Sequence, residues 1–210
     1  MQKTLLSLPL FQGMTKNELV EVAASKTVRQ QRYGKRQVVA GLNQPSKGLL
    51  LLLEGRLSVS GEWREGAYRT TETISAPYVI EPERCFGLHQ RYQRQYVAKT
   101  VCRVLYIPKT DVLALTRTYM VFKLNLLNTI SAIAQQKKLT LLTDSRCLAD
   151  MLLCFLREHF LSGSEEQKVY VTMNQIAEMT YCSRLEVSKA LNLLNERNDI
   201  TLQRGIITLR

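Results

Sequence analysis

The side chains best suited to recognising another molecule lie near the C-terminal end of the chain, within residues 179–197 (MTYCSRLEVSKALNLLNER). Arg184 can donate two parallel hydrogen bonds to a guanine edge, and Lys189 can do the same or contact a phosphate. Asn192 carries the donor and acceptor that pair with an adenine edge, and Leu185 can contact a thymine methyl group. These residue types favour duplex DNA as the partner.

A single predicted helix presents Leu185, Lys189 and Asn192 on one face, with Ser188 beside them and Arg184 on its first turn. Its other face carries apolar residues at the i, i+3, i+4 and i+7 positions that an amphipathic helix buries, namely Val187, Ala190, Leu191 and Leu194. Ser183 and Ser188 are short enough to bond phosphate oxygens without holding the helix away from DNA. The positive N-terminal end of the helix also favours phosphate groups.

Two capping boxes and a hairpin place this helix in a larger motif. Thr172 begins a T-x-x-Q box and Ser183 begins an S-x-x-E box, so two helices separated by a tight turn are predicted. The segment ITLQRGIITL then predicts two strands with Arg204 at the tip, which is the wing of a winged helix. The candidate DNA-binding residues are Thr172, Ser183, Arg184, Leu185, Ser188, Lys189, Asn192 and Arg204. A helical hairpin whose polar face meets only water has the same spacing, and both interpretations stay open on spacing alone.

The charge of the chain supports a polyanionic partner only in part. The formal net charge is +11, from 29 Lys and Arg against 18 Asp and Glu. Residues 1–144 hold 21 basic and 10 acidic side chains, whereas residues 145–210 hold 8 of each. The basic excess therefore lies outside the predicted DNA-binding helices, although a basic protein as a whole attracts nucleic acid.

Composition argues against several other classes of protein. The cysteine count is odd and contains no C-x-x-C pair, which indicates a reducing compartment rather than a disulfide framework: Cys85, Cys102, Cys147, Cys154 and Cys182. With only His89 and His159 present, a histidine-rich metal site is not expected. No nucleophile–base pair, carboxylate pair or phosphate loop has a usable spacing, so we do not expect an enzyme. No apolar run is long enough to span a bilayer, and a cytoplasmic location without a membrane partner is expected.

Glycine and proline divide the chain into three regions. All five prolines and eight of the ten glycines fall within residues 1–110, where short β-branched and aliphatic runs predict a strand-rich roll after one short helix capped by Thr15 and Glu18. Residues 111–143 contain neither glycine nor proline and predict one long helix, and residues 144–210 form the winged region. The apolar arc of the long helix either packs on the roll or forms a coiled-coil seam with a second copy. The seam is favoured, with Phe122, Leu126, Leu127, Ile130, Ile133 and Ala134 as the dimer interface.

These segments together resemble the CRP/FNR family of transcription factors. The resemblance is carried by VTMNQIAEMTYCSRLEVSKALNLLNERNDITLQRGIITL (171–209), and also by LPLFQGMTKNEL, LLLLLEGRLSVS and AKTVCRVLYIPK in the first half of the chain. It implies an α+β fold with an N-terminal cyclic-nucleotide-binding-like β-roll of jelly-roll type, a long dimerisation helix and a C-terminal winged helix-turn-helix. It further implies a homodimer that binds a near-palindromic operator, with RNA polymerase as a second partner. In this comparison Arg184 matches the base-contacting arginine, Lys189 a second basic contact, and Leu185 replaces a glutamate.

The resemblance also locates a candidate effector pocket, which comprises Phe86, Gly87, Leu88, Arg91 and Arg94. Cyclic-nucleotide binders of the family carry a glutamate where this chain has Leu88, and their phosphate-binding arginine falls here at Tyr92 or Gln93. Cyclic AMP is therefore not expected, although Arg91 and Arg94 lie near enough in sequence to act as substitutes.

Other cofactors and a rival function remain open on the sequence. The N-terminal cysteine cluster of the iron–sulfur members of the family is missing, while His89 leaves a haem ligand open. An unknown small-molecule effector is an alternative to both. The rival interpretation is a small-molecule-binding or protein-interaction module that acts through the roll and retains a vestigial winged helix. Its contact surface would be the basic stretch at residues 26–37, which otherwise forms a solvated strand edge.

Overall fold

The computed structural model describes residues 5–24, 28–63, 66, 68–141 and 147–210, without the side chains of residues 23–24 and 136–141. The chain divides into two compact units. The first comprises Met1–Ser58 and Ile74–Gln135, and the second Val59–Thr73 and Gln136–Arg210. The sequence boundaries assign residues 59–73 to the roll, whereas their backbone contacts group them with the C-terminal unit.

A short helical region opens the first unit. A 3₁₀ turn at Pro9–Phe11 precedes helix α1, Lys16–Ala24. The predicted capping box is present, because the Glu18 amide donates to Thr15 Oγ1 over 3.3 Å and the Thr15 amide donates to Glu18 Oε2 over 2.7 Å. Both bonds satisfy donors that the first turn of a helix leaves free.

Among the described residues, eight strands follow the opening helix, in the strand-rich region that the frequent turn residues predict. They are β1 (Arg29–Tyr33), β2 (Val38–Ala40), β3 (Gly48–Glu54), β4 (Arg56–Trp63), β5 (Tyr68–Ser75), β6 (Tyr78–Ile80), β7 (Arg94–Ala98) and β8 (Cys102–Pro108). The order β1-β8-β3-β6 defines one antiparallel sheet, and β2 pairs with β7 in a second. Strands β4 and β5 contribute residues to both units.

Strand β3 occupies the interior of its sheet. All its residues except Glu54 are buried, and its leucines at 49, 51 and 53 belong to the core of the first unit. Gly48 is the first residue of the strand. Only glycine fits at this position, because a Cβ would lie 2.1 Å from the carbonyl oxygen of Ile107 on β8. By contrast, β1 lies at the edge of its sheet with an exposed surface, which places Arg29–Tyr33 of the basic stretch at residues 26–37 on a solvated strand edge.

The long helix that follows the strands is interrupted. Sequence pattern predicts one helix over residues 111–143, whereas the structure has α2 (Lys109–Thr118) and α3 (Met120–Leu141). Tyr119 separates them in an extended conformation, with φ −115° and ψ 104°. The prediction of a single helix is wrong at this residue, where the Tyr119 hydroxyl donates to Glu21 on α1. The sequence around Tyr119 contains no glycine or proline, so it gives no sign of a helix break that coincides with a tertiary contact.

The second unit is a winged helix-turn-helix. Its elements are α4 (Leu148–Glu158), β9 (Glu165–Tyr170), α5 (Met173–Thr180), α6 (Arg184–Glu196), β10 (Ile200–Gln203) and β11 (Ile206–Leu209). Cys147 is the N-cap of α4, and the caps expected at Asp144 or Ser145 lie outside the described residues. Strand β11 pairs with β10 and β9, so the two wing strands continue an antiparallel sheet.

The core of the second unit contains the predicted buried face of α6. Val187, Ala190, Leu191 and Leu194 are all buried together with leucines of α4. Each fully buried leucine of this kind contributes about 1.5–3 kcal/mol relative to an exposed one. The outward direction of the remaining α6 side chains follows from this packing, because successive faces of a helix are fixed by its 3.6-residue period.

Residues 59–73 belong to this unit through specific contacts with α4 and β9. Strand β5 pairs with β9, with Thr70 opposite Val169. The buried Tyr68 lies 2.6 Å, Oη to Nε2, from His159. The His159 Nδ1 atom lies 2.6 Å from the carbonyl oxygen of Phe155, which can only accept. Nδ1 therefore carries the proton, and Tyr68 donates to Nε2.

Candidate nucleic-acid interface

Helix α6 begins at a fully formed cap. The Glu186 amide donates to Ser183 Oγ over 3.3 Å, and the Ser183 amide donates to Glu186 Oε2 over 2.8 Å. Thr172 caps α5 in the same way with Gln175. Each box holds the backbone at the start of its helix, so the residues of the first turn of α6 have a defined direction.

The expected DNA-reading side chains share the solvent face of α6. Arg184, Lys189 and Asn192 are exposed, and Leu185 has 65% of its surface accessible. Ser188 lies at the margin of this face and is half-buried. The face thus combines a guanidinium, an ammonium, a carboxamide and an apolar side chain, which are the groups that distinguish base edges.

Two hydroxyl groups of the expected set are engaged within the protein. The Ser183 hydroxyl donates to Glu186 Oε2 over 2.7 Å, and the Thr172 hydroxyl donates to Gln175 Oε1 over 2.9 Å. A phosphate oxygen needs a donor, and these protons are already used by the caps. In this arrangement Ser183 and Thr172 position the helices, and their hydroxyls have no second proton to donate to DNA.

The electrostatics of the cap concern Glu186. The hydrogen bonds from Ser183 hold the pKa of the Glu186 carboxyl below its usual value, and Lys189 acts in the same direction. The carboxylate is therefore ionised at neutral pH and interacts favourably with the N-terminus of α6.

Two arginines of the unit, away from this face, are paired with acids. Arg197 lies 3.0 Å from Asp150, Nη1 to Oδ1, and Arg157 lies 3.7 Å from Asp199, Nη2 to Oδ1. The equal numbers of acidic and basic residues in the C-terminal region therefore do not imply a neutral α6 face.

Tyr181 is an exposed residue of this region that is not among the DNA-binding residues predicted from the sequence. It forms the turn after α5 in the left-handed conformation, with φ 54° and ψ 30°. Its side chain is 97% exposed, two residues before the cap of α6. A left-handed residue at a helix C-terminus is most often glycine. The position of the turn between two capping boxes was the available signal, but its backbone angle was not visible in the sequence.

The wing places Arg204 at an exposed tip. Gly205 follows it with φ 74°, which suits the tight turn between β10 and β11. The Val171 amide donates to the Gly205 carbonyl oxygen over 3.1 Å, so the wing turn is tied to the segment just before α5. Arg204 is exposed and carries a cation at the end of the hairpin.

Two of the five expected effector residues, Leu88 and Arg91, line one cleft, and the other three do not line it. Leu88 is 97% exposed, and the exposed Arg91 donates from Nη1 to the Asn43 carbonyl oxygen over 2.7 Å. Arg94 is buried, and Phe86 packs against the core of the first unit. Gly87 forms an open turn with φ 89°. The substitutes Arg91 and Arg94 therefore point to different environments.

Of the two positions that the resemblance gives to a phosphate-binding arginine, Tyr92 is packed inside the protein and Gln93 is exposed. Tyr92 is buried, and burial raises its pKa to about 12. The neighbouring Gln93 amide donates to Glu81 Oε2 over 2.9 Å. His89 is exposed, and no group of three potential metal-ligating residues occurs among the described residues.

The expected dimer residues divide between the core and the surface. Phe122 and Leu126 are buried in the core of their own unit, where the Phe122 ring lies 5.4 Å from that of Phe11, centroid to centroid. Ile130 packs against the same core and Ile133 is half-buried. Leu127 and Ala134 are exposed. The core of the first unit covers Phe122, which has no accessible surface and so cannot contact a second copy, and nearly all of Leu126, which retains 6%. The dimer role of the other residues stays a prediction.

The arrangement defines a class of fold: a strand-rich roll, a helix leading out of it, and a winged helix-turn-helix. No helix among the described residues combines the length and apolar character needed to cross a membrane. No protein family profile and no curated protein sequence matches the chain. Solved structures do match it.

The catabolite activator protein of Thermus thermophilus has this fold. It is 20% identical to the chain with a TM-score of 0.58, and the match covers 97% of this chain and 94% of the other. A transcriptional regulator from Thermotoga maritima is 23% identical with a TM-score of 0.51, covering 63% and 100%. The N-terminal domain of a transcriptional regulator from Streptomyces coelicolor A3(2) is 14% identical with a TM-score of 0.54, covering 68% and 98%. The predicted α+β, CRP/FNR-like fold is confirmed.

Proposed function

We propose that the protein is a sequence-specific DNA-binding transcription regulator of the CRP/FNR type that acts as a homodimer. Helix α6 enters the major groove, and the wing contacts the adjacent backbone through Arg204. The similar structures are described as an activator and as transcriptional regulators, which supports the same role here. RNA polymerase is the second partner expected for such a regulator.

The observation that supports DNA recognition most directly is the exposed row on α6. Lys189 and Asn192 are exposed on the side opposite the buried Val187 and Leu191, and Arg184 is exposed in the first turn of α6. Bidentate pairing of a side chain of this type with a base edge discriminates by about 1–3 kcal/mol.

A row of exposed side chains along α3, here called the α3 stripe, supports the homodimer and differs in part from the dimer residues predicted from the sequence. Exposed side chains recur at alternating spacings of four and three residues, as in a coiled-coil seam: Met120, Leu124, Leu127, Ser131 and Ala134. Leu124 and Leu127 have 52% and 53% of their surface accessible. Since the opposite face of α3 packs on the roll, the stripe is left for a second copy. Two recognition helices related by a two-fold axis would then meet half-sites one helical turn apart.

Selection from random DNA duplexes by the purified chain, without added ligand, tests DNA recognition. Enrichment of a two-fold-symmetric site is expected. Failure to enrich any sequence, together with a duplex affinity that barely changes between 50 and 200 mM salt, would contradict the proposal, because phosphate contacts make affinity fall steeply with salt.

Two substitutions separate base recognition from phosphate contact. Arg184→Ala should relax specificity at one base pair and cost about 1–3 kcal/mol. Lys189→Ala should weaken all duplexes and reduce the salt slope by about one unit if its contact is a phosphate. Lys16→Ala, on α1 of the first unit, is the matched control and should leave the selected sequence unchanged. An unaltered selection profile in Arg184→Ala would remove that residue from direct base recognition.

The dimer is tested by adding one charge to the stripe. Leu127→Glu should shift the chain toward a monomer in sedimentation experiments, whereas Ala132→Glu, exposed on α3 away from the stripe, should not. Thermal unfolding checks that both variants remain folded. Equal oligomeric states for the two variants would argue against this seam.

A further inference from the structure

The sheet that contains the wing extends beyond the winged motif. Its strands β10, β11, β9 and β5 are neighbours in that order, and these four are here called the wing sheet. Strand β5 comes from the first half of the chain, yet its pairing with β9 places Arg69 opposite Tyr170. Tyr170 is in turn opposite Ile206 on β11, and Ile206 is opposite Gln203 on β10. These four residues form one row across the wing sheet, here called the tip row.

The tip row lies at the end of the wing sheet that holds other expected DNA contacts. Gln203 and Ile206 flank the wing turn, in which Arg204 is exposed. Tyr170 lies two residues before Thr172, the N-cap of α5. Because neighbouring strands lie about 4.8 Å apart, the β5 end of the tip row is about 10 Å from its β11 member. The phosphates of one DNA strand are spaced by about 3.4 Å along the helix axis, so one backbone can follow the row from the wing to β5.

Arg69 faces solvent on the side of the wing sheet away from the core. Its neighbours on β5, Tyr68 and Thr70, are both buried, and successive side chains of a strand point to opposite faces of the sheet. On β9, Val169 is buried in the core of the second unit, so Tyr170 shares the outer face with Arg69. Arg69 itself is exposed. Its guanidinium is therefore accessible to a partner that lies along the outer face.

The ring of Tyr170 positions this guanidinium without using its donors. The Arg69 Cζ atom lies over the Tyr170 ring, 4.9 Å from the centroid, in a cation–π contact. A guanidinium can lie on an aromatic face while its N–H groups bond other acceptors. Within the described part of the chain, no ion pair or side-chain hydrogen bond engages the Arg69 donors. Arg69 thus differs from Arg157 and Arg197, whose guanidinium groups are paired with carboxylates. A phosphate is the acceptor that such a positioned donor pair suits.

We propose that Arg69, held by Tyr170, contacts a phosphate of the DNA backbone beside the half-site that α6 recognises. The contact extends the interface from the wing across the sheet, with Tyr170 as a positioning residue. A phosphate contact carries no sequence information, so Arg69 adds affinity while α6 determines the sequence. The DNA-binding residues expected from motifs and from the CRP/FNR resemblance all lie at or after Thr172, and none of them predicts Arg69. This inference rests on the proposed function.

The affinity of the full chain for its selected duplex, extended by flanking base pairs, tests the proposal between about 50 and 200 mM salt. Arg69→Gln should weaken binding about threefold to tenfold per chain and reduce the salt slope by about one unit per chain. The selected sequence should not change. Arg157→Gln removes the same charge from α4 and is the matched control, which should change affinity less than about twofold. Thermal unfolding checks that both variants remain folded.

Two further variants test the positioning role of Tyr170. Tyr170→Phe keeps the aromatic ring and should bind the duplex like the original chain, whereas Tyr170→Leu removes the ring and should bind less tightly. In a chain that already carries Arg69→Gln, Tyr170→Leu should cause no additional loss, because the ring acts through the guanidinium. An additional loss of the same size in that background would overturn the positioning role.

Three results would overturn the phosphate contact, and they separate it from the proposed function. Unchanged affinity and salt slope in Arg69→Gln, alongside the expected loss in Lys189→Ala, would remove the contact and leave DNA recognition by α6 standing. An equal loss in Arg69→Gln and Arg157→Gln would indicate diffuse attraction of DNA to a basic protein. A chain that binds no duplex in a salt-dependent manner, before any substitution, would refute the proposed function and this contact with it.

Discussion

Replacing Tyr181 with glycine should stabilise the winged helix-turn-helix. Tyr181 holds φ at 54° in the turn after α5. The left-handed conformation costs a residue with a Cβ about 1–2 kcal/mol, and glycine avoids this cost. Glycine loses about 0.5–1 kcal/mol more in conformational entropy on folding. The tyrosine ring is 97% exposed, so little packing is lost. The net gain in the free energy of unfolding should be about 0.5–1 kcal/mol.

Thermal unfolding followed by circular dichroism measures this change. A gain of 1 kcal/mol raises the melting temperature of a chain of this length by about 2–4 °C. Tyr181→Ala is the matched control, because it removes the ring but keeps the Cβ and hence the backbone cost. A melting temperature that is unchanged or lower in Tyr181→Gly, or equally raised in Tyr181→Ala, would refute the reasoning. A duplex affinity reduced equally in both variants would instead assign the exposed ring a contact with DNA.

Three further predictions concern the stability of the same unit. Ser183→Ala should cost about 1 kcal/mol in urea unfolding at neutral pH. The pKa of the Glu186 carboxyl is lower in the folded protein than its ordinary value of 4.5. The bonds of the cap to this carboxylate therefore stabilise the folded protein above pH 4.5, and this stabilisation is lost as the pH falls through the pKa of the folded protein. The cost of Ser183→Ala should therefore shrink in acid, and a pH-independent cost would contradict this account. Tyr68→Phe should lower the free energy of unfolding by about 1 kcal/mol in denaturant, because it removes the hydroxyl that donates to His159. An unchanged free energy of unfolding would mean that this hydrogen bond makes no net contribution to stability. Leu191→Ala should lower the free energy of unfolding by about 2–5 kcal/mol, because Leu191 is buried. Asn192→Ala, at the adjacent exposed position, should change it by no more than about 0.5 kcal/mol. Similar losses in the two variants would show that burial does not distinguish these positions.

Local pattern was sufficient where neighbouring residues determine the structure. The caps at Thr172 and Ser183, and the buried and exposed faces of α6, occur as their spacing predicts. A capping box involves residues three apart, and the helix period places its faces, so neither depends on distant parts of the chain. The strand-rich first half was predicted for a similar reason, since turn residues delimit short strands.

The partners of each apolar face were decided by tertiary structure. The apolar arc of α3 allowed packing on the roll or on a second copy, and the structure buries Phe122 and Leu126 in the roll while leaving Leu127 exposed. Periodicity identifies a face that avoids water, but it does not identify what covers the face. The helix break at Tyr119 could not be predicted from local pattern either. It coincides with a hydrogen bond from the Tyr119 hydroxyl to Glu21, which is 98 residues away in sequence.

The sequence by itself determined the winged helix, its caps and the donors on α6, because these depend on residues a few positions apart. Only the tertiary structure decided that residues 59–73 join the second unit, and that Arg69 lies beside Tyr170 on the wing sheet. Those associations come from chain segments far apart in sequence, whose meeting depends on strand pairing and on packing of the whole core. Charge counts and motifs carry no information on which distant segments meet, and for that reason the place of Arg69 was found only in the folded chain.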